Sequence, residues 1–149
     1  MSGNQVADKT AQTIHIDADP RTVMAVIADI ASYPEWVSEY TETEVIEADP
    51  EGYPRVARLV LDAAVLSDTM VLRYDWPADR SSVRWSLVSS TLLKALDGAY
   101  TLTPSDGGTD VTYELSVDLT VPMIGLLKRK AERRLTETAL KDLKRRVEG

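Results

Sequence analysis

Histidine occurs once in the 149 residues, at position 15, and cysteine does not occur. Thiolate nucleophiles, thiolate zinc sites and disulfides are therefore excluded together. His15 falls out of phase with Ile14 and Ile16, so a strand reading points its ring away from any core, and His-centred metal sites and Ser-His-Asp triads go with it. At most a carboxylate-only metal site is left. No serine lies in a Gly-x-Ser-x-Gly elbow. Asp106-Gly107-Gly108 lacks the following helix and the Lys-Ser/Thr pair of a phosphate cradle, so it reads as a turn and nucleotide binding is unsupported. No catalytic residue, metal or cofactor is assigned. If catalysis is present it needs an inward carboxylate with a raised pKa, and Asp97 and Asp142 are the candidates. Arg58 and Arg73 sit in strands, where either one can clamp an anionic head group or face solvent.

The aromatic set is more informative. The chain has 3 Trp, 6 Tyr and no Phe, so each of its aromatic rings carries a hydrogen-bonding group. The expected ligand-lining residues are Trp36 and Tyr40, then Leu72, Tyr74, Trp85, Tyr100 and Tyr113 from strands, with Leu127, Ala131 and Leu135 from a helix. A filled core has the same composition as a pocket wall, so both readings stand at this point.

Positioning those residues requires an ordered set of elements. Thr10 to Asp17 alternates as a short strand. Asp19-Pro20 opens a helix, with Asp as N-cap and Pro at the first position. Ser32-Tyr33-Pro34-Glu35-Trp36-Val37 reads as a second short helix opened by a Ser and a Pro. Six segments with period-two alternation follow: Thr41 to Glu47, Arg55 to Asp62, Asp68 to Trp76, Ser82 to Val88, Leu92 to Thr103 and Thr109 to Leu119. In the third, Met70, Leu72 and Tyr74 share a face; Val83, Trp85 and Leu87 do so in the fourth. Asp106-Gly107-Gly108 supplies a hairpin turn. After Val121-Pro122 the period lengthens, and Ile124, Leu127, Ala131, Leu135, Ala139, Leu143 and Val147 mark one long amphipathic helix from Met123 to Glu148, about 39 Å long. The prediction is an α+β domain: a curved antiparallel sheet of about seven strands wrapped around the last helix, with two short helices after the first strand. A sheet curled on one helix cannot pack flush everywhere, and the gap left is a natural ligand cavity.

The chain carries 17 Lys/Arg against 24 Asp/Glu, net −7, and the excess of acid opposes binding to nucleic acid. The charges are uneven: Lys128-Arg129-Lys130, Arg133-Arg134 and Lys144-Arg145-Arg146 make the last helix basic. That is the wet face of an amphipathic helix or a contact for anionic membrane or an acidic protein. No run of ~18 apolar residues is present, and the first residues have no apolar h-region, which makes the cytoplasm the expected compartment. No composition break divides the chain, so residues 1–149 read as one domain with residues 1–9 as a loose tail.

The element order and three local motifs carry a family resemblance. Ala28-Asp29-Ile30-Ala31-Ser32-Tyr33-Pro34-Glu35-Trp36-Val37 resembles the segment after the first helix in the START-like, or Bet v 1-like (SRPBCC), superfamily. Gly98 to Pro104 with Gly108 to Tyr113 is similar to its sixth-to-seventh strand hairpin, and Val121-Pro122 running into Leu126-Leu127-Lys128-Arg129 resembles the entry to its last helix. The nearest subgroup is the bacterial polyketide cyclase/dehydrase and coenzyme-Q-binding-like set. The resemblance implies the helix-grip fold and binding or transport of a hydrophobic small molecule such as a lipid, isoprenoid or polyketide. It also admits an aromatase/cyclase enzyme, and a protein-interaction or regulatory module stands as a third class.

Overall fold

The computed structural model describes residues 9–63, 67–120 and 125–149. The chain runs β1 (Thr10–Ile16), α1 (Pro20–Ala28), a 3-10 turn (Ile30–Ser32), α2 (Tyr33–Trp36), then β2 (Tyr40–Ala48), β3 (Pro54–Asp62), β4 (Ser67–Asp75), β5 (Ser82–Ser90), β6 (Leu93–Ser105) and β7 (Gly108–Leu119), and ends in α3 (Gly125–Glu148). The strands form one sheet in the order β1-β7-β6-β5-β4-β3-β2, and every neighbouring pair is antiparallel. This is the α+β helix-grip architecture read from the sequence. Of the tail expected over residues 1–9, all but Lys9 lies outside the described residues, as do Val121-Pro122 and Ile124.

Local chemistry accounts for the element ends. Asp19 caps α1 by accepting the Thr22 N–H at 2.8 Å, with Pro20 at the first position, and that hydrogen bond lowers the Asp19 pKa. Ser32 behaves differently from expectation. It ends the 3-10 turn and makes no side-chain cap; the turn and the Pro34 ring suffice to start a four-residue helix. The β6–β7 hairpin closes on Asp106 (φ 46°) and Gly107 (φ 77°), the pair of positive φ values that a two-residue turn matched to strand twist demands.

Inward strand positions alternate as the pattern requires. Ala57, Leu59 and Leu61 of β3, Met70, Leu72 and Tyr74 of β4, and Val83 and Trp85 of β5 are buried, while Arg55, Arg73 and Arg84 are exposed on the other face. Helix α3 packs chiefly on β1 and β7. Its innermost line only partly follows the apolar series expected. Glu132 and Thr136 are fully buried (0%), followed by Leu140 and Leu143, whereas Leu127 is 50% exposed. The reason is polar pairing at the sheet. Glu132 accepts the Val117 backbone N–H at 2.8 Å and the Thr10 hydroxyl at 2.9 Å, and Gln12 donates to Thr136 Oγ1 at 2.5 Å and to the Arg133 carbonyl at 2.8 Å. Paired carboxylate and hydroxyl groups are thereby burial-compatible.

The far end of α3 is tied to β1 by a second polar cluster. Lys144 donates to the His15 carbonyl at 2.7 Å, Glu148 accepts the Asp17 N–H at 2.9 Å, and His15 Nδ1 lies 2.8 Å from Asp110 on β7. The Asp110 hydrogen bond raises the His15 pKa above its usual value, against a smaller lowering by desolvation and with help from Asp17. A raised folded-state pKa adds stability that is fully present below the unfolded value of ~6.5 and fades as pH rises through the folded pKa. Thermal melts of the wild type should therefore lose stability as pH rises above about 6.5, and His15→Gln should flatten that segment; parallel curves for the two proteins would contradict the assignment.

Candidate functional site

The inward faces of β4 to β7, the α2 region and one side of α3 enclose a cavity. Two adjacent rows of cross-strand partners build its wall. In the first, Tyr74 faces Trp85 and Trp85 faces Gly98; in the second, Val83 faces Tyr100 and Tyr100 faces Tyr113. Gly98 is what lets the indole fit. A Cβ there would stand 2.3 to 2.4 Å from three atoms of the Trp85 ring, so only glycine allows the ring to lie across β6. From that position Trp85 meets Tyr74 (centroids 5.8 Å apart), Tyr100 (5.4 Å) and Tyr113 (5.6 Å), and Tyr100 and Tyr113 meet each other at 4.6 Å.

The other end is closed by the Tyr33-Pro34-Glu35-Trp36 segment. Tyr33 packs edge-on against Trp36 at 5.2 Å and stacks on Tyr40 at 6.0 Å. Its hydroxyl donates to the Ile27 carbonyl, closing the C-terminal end of α1 with a short-helix side chain. Leu135 and Ala139 complete the wall from α3.

Of the residues expected to line the site, Trp36, Tyr40, Leu72, Tyr74, Trp85, Tyr100, Tyr113 and Leu135 surround this cavity. Leu127 and Ala131 do not. Near its start α3 puts Glu132 and Thr136 on the inner line and leaves Leu127 half exposed, while Leu135 and Ala139 of the same apolar series reach the wall. Asp97 is exposed on the outer face. Asp142 is buried but committed: its carboxylate accepts the Ser38 N–H at 3.0 Å, the Ser38 hydroxyl at 3.1 Å and an Arg145 N–H at 3.0 Å, which pins the α2–β2 connection to α3. Arg58 turns outward to Glu42 (2.8 Å) and Glu44 (3.2 Å). Arg73 joins Arg55 and Arg84 in an outer depression of about 590 Å³ that also holds Glu47, Asp75 and Asp97. Its charges balance and its walls are wet, so nothing there is desolvated.

Several apolar wall residues and one charged residue were not among those expected to line the site. Glu39, in the connection before β2, lines the mouth. Burial raises its carboxyl pKa, with Asp142 adding to the rise and Arg134 opposing it. No periodicity marks a connection residue, so no pattern could have found it.

The interior is narrow. Its open volume is about 50 Å³, room for a few water molecules and well below the roughly 300–1,000 Å³ of ordinary ligand pockets. The aromatic rings occupy the space that the curvature of the sheet opens. Four of their hydroxyls, on Tyr40, Tyr74, Tyr100 and Tyr113, have no hydrogen-bond partner among the described residues. Burial pushes the Tyr40 pKa up to about 12 and raises those of Tyr74, Tyr100 and Tyr113 as well, with neighbouring phenols adding to the rise. All four stay protonated and remain donors at ordinary pH. Among the described residues no group of three or more His, Asp or Glu side chains is placed to hold a metal, and no described helix is long and apolar enough to cross a membrane.

Residues 7–148 match the model of a family described as polyketide cyclase / dehydrase and lipid transport. The chain belongs to that family. Solved structures place it in the same fold. A START superfamily protein from Mycobacterium smegmatis has 20% identity and TM-score 0.88, over 94% of this chain and 97% of its own. The Zhui aromatase/cyclase from a Streptomyces species has 17% identity and TM-score 0.80, over 94% and 93%. The major latex-like protein 151 from Panax ginseng has 10% identity and TM-score 0.73, over 93% and 95%. Comparison with curated protein sequences finds no match. The solved structures share with this chain a frame in which the sheet grips the last helix, a likeness of fold that does not by itself fix what the grip holds.

Proposed function

We propose that this chain is a cytoplasmic binding or transport protein for a hydrophobic small molecule, held between α3 and the inner face of the sheet by Trp36, Tyr40, Leu72, Tyr74, Trp85, Tyr100, Tyr113 and Leu135. The observation that carries the proposal is the set of four phenols without protein partners among the described residues, on the buried Tyr74, Tyr100 and Tyr113 and the half-buried Tyr40. A buried donor left unpaired costs about 1–3 kcal/mol, and native interiors rarely leave several such groups together. A guest with acceptor oxygens would satisfy them. Because the open space is only about 50 Å³, binding requires the rings to rotate aside, a rearrangement open to side chains lining a narrow gap.

The test exploits opposite signs. Tyr74→Phe and Tyr113→Phe remove an unpaired polar atom, so each should leave the free protein as stable as wild type or more so, by up to about 1 kcal/mol. The same variants should bind any captured guest several-fold more weakly. Native mass spectrometry and dye displacement over lipid and aromatic libraries supply the guest, and denaturant melts supply the stability. If no library member binds, or if the Phe variants lose stability, the proposal is wrong.

One observation favours an aromatase/cyclase reading instead. Glu39 is a desolvated carboxylate at the rim of a cavity lined by phenols, and such a group is a workable general base. Conversion of a bound polyketide-like ketone by the wild type but not by Glu39→Gln would establish it; recovery of the unchanged guest would leave binding as the function.

A further inference from the structure

We infer that the cavity selects neutral molecules bearing carbonyl-type oxygens and turns carboxylates away, with Glu39 at the mouth as the charge filter. The inference rests on the cavity reading above and names the class of guest it accepts. Three observations lead to it. First, Tyr40, Tyr74, Tyr100 and Tyr113 offer protonated hydroxyls inward, and these are matched by oxygen acceptors. Second, Glu39 is the only charged residue among the described residues lining the cavity. The strand arginines that could have welcomed an anion point elsewhere, Arg58 to Glu42 and Glu44 and Arg73 into the outer depression. Third, the groups around Glu39 leave it no enclosed counter-ion. Arg134 on α3 is exposed to solvent, Asp142 on α3 is an acid held by Ser38 and Arg145, and Tyr40 and Tyr113 beside it are neutral phenols.

A neutral ketone, ester or quinone entering past Glu39 exchanges water for phenol donors at its oxygens. A carboxylate would have to shed its water, pass a like charge and come to rest without a cation, and an unpaired buried charge is far costlier than an unpaired dipole. Glu39 can be changed without disturbing the fold. Its backbone carbonyl accepts the Asp62 N–H at 2.7 Å, and its side chain makes no hydrogen bond among the described residues.

The experiment compares two probes with the same body, 2-acetylnaphthalene and 2-naphthoate, titrated calorimetrically into wild type, Glu39→Gln and Glu39→Lys at about pH 8, where free carboxylates are ionised. The wild type should bind the ketone at least about tenfold more tightly than the carboxylate. Glu39→Gln should shrink that ratio by raising carboxylate affinity, and Glu39→Lys should shrink it further or reverse it. Equal affinities in the wild type, or a ratio untouched by both variants, would overturn the charge filter and leave the binding site standing. Failure of both probes to bind any of the three proteins would remove the filter together with the cavity reading on which it rests.

Discussion

Glu132→Ala is expected to lower the unfolding free energy by about 3 kcal/mol, the largest single-residue effect on polar chemistry in this fold. The carboxylate is fully buried (0%) and takes two donors, the Val117 N–H at 2.8 Å and the Thr10 hydroxyl at 2.9 Å. Strand β1 as described begins at Thr10, paired with Leu115. Val117 lies two residues further along β7, where its N–H finds Glu132 in place of a strand carbonyl. Truncation leaves that N–H unpaired under a helix and opens a void around it. Glu132→Gln keeps an acceptor of the same shape and should recover about half the loss. Urea midpoints at constant slope measure both changes. A shift below about 1 kcal/mol for Glu132→Ala would show that β7 and α3 are held by apolar contact alone.

The second large effect is expected at Gly98. An alanine Cβ at that position has the Trp85 indole 2.3 Å away, and the obstacle is a rigid ring wedged among Tyr74, Tyr100 and Tyr113. The ring has to swing off β6 into the cavity, and overpacking of this kind costs about 2 kcal/mol. Near-UV circular dichroism should change along with stability, since the tilted aromatic contacts are lost. Trp85→Leu combined with Gly98→Ala should be more stable than the sum of the two single variants implies, because the clash exists only when both groups are present. Additive losses would mean that the indole does not depend on the missing side chain.

These two sites also divide what is local from what is not. The order of strands and helices, the inner and outer face of each strand, the Asp19 cap and the Asp106-Gly107 turn follow from periodicity and backbone preference, which act over a few residues and are therefore written in the chain. The aromatic wall belongs with them: Tyr74, Trp85, Tyr100 and Tyr113 are inward by alternation alone. The polar inner line of α3 does not belong with them. Its apolar stripe pointed to Leu127 and Ala131, yet Glu132 and Thr136 took that line, because a helix docks where its groups meet partners, and the partners here are a backbone N–H of β7 and side chains of β1 more than a hundred residues away. Glu39 at the mouth and a hollow of only about 50 Å³ likewise emerged from packing. Alternation says which way a ring faces, but how much space remains between rings is settled by volumes that meet only once the sheet has closed on its helix.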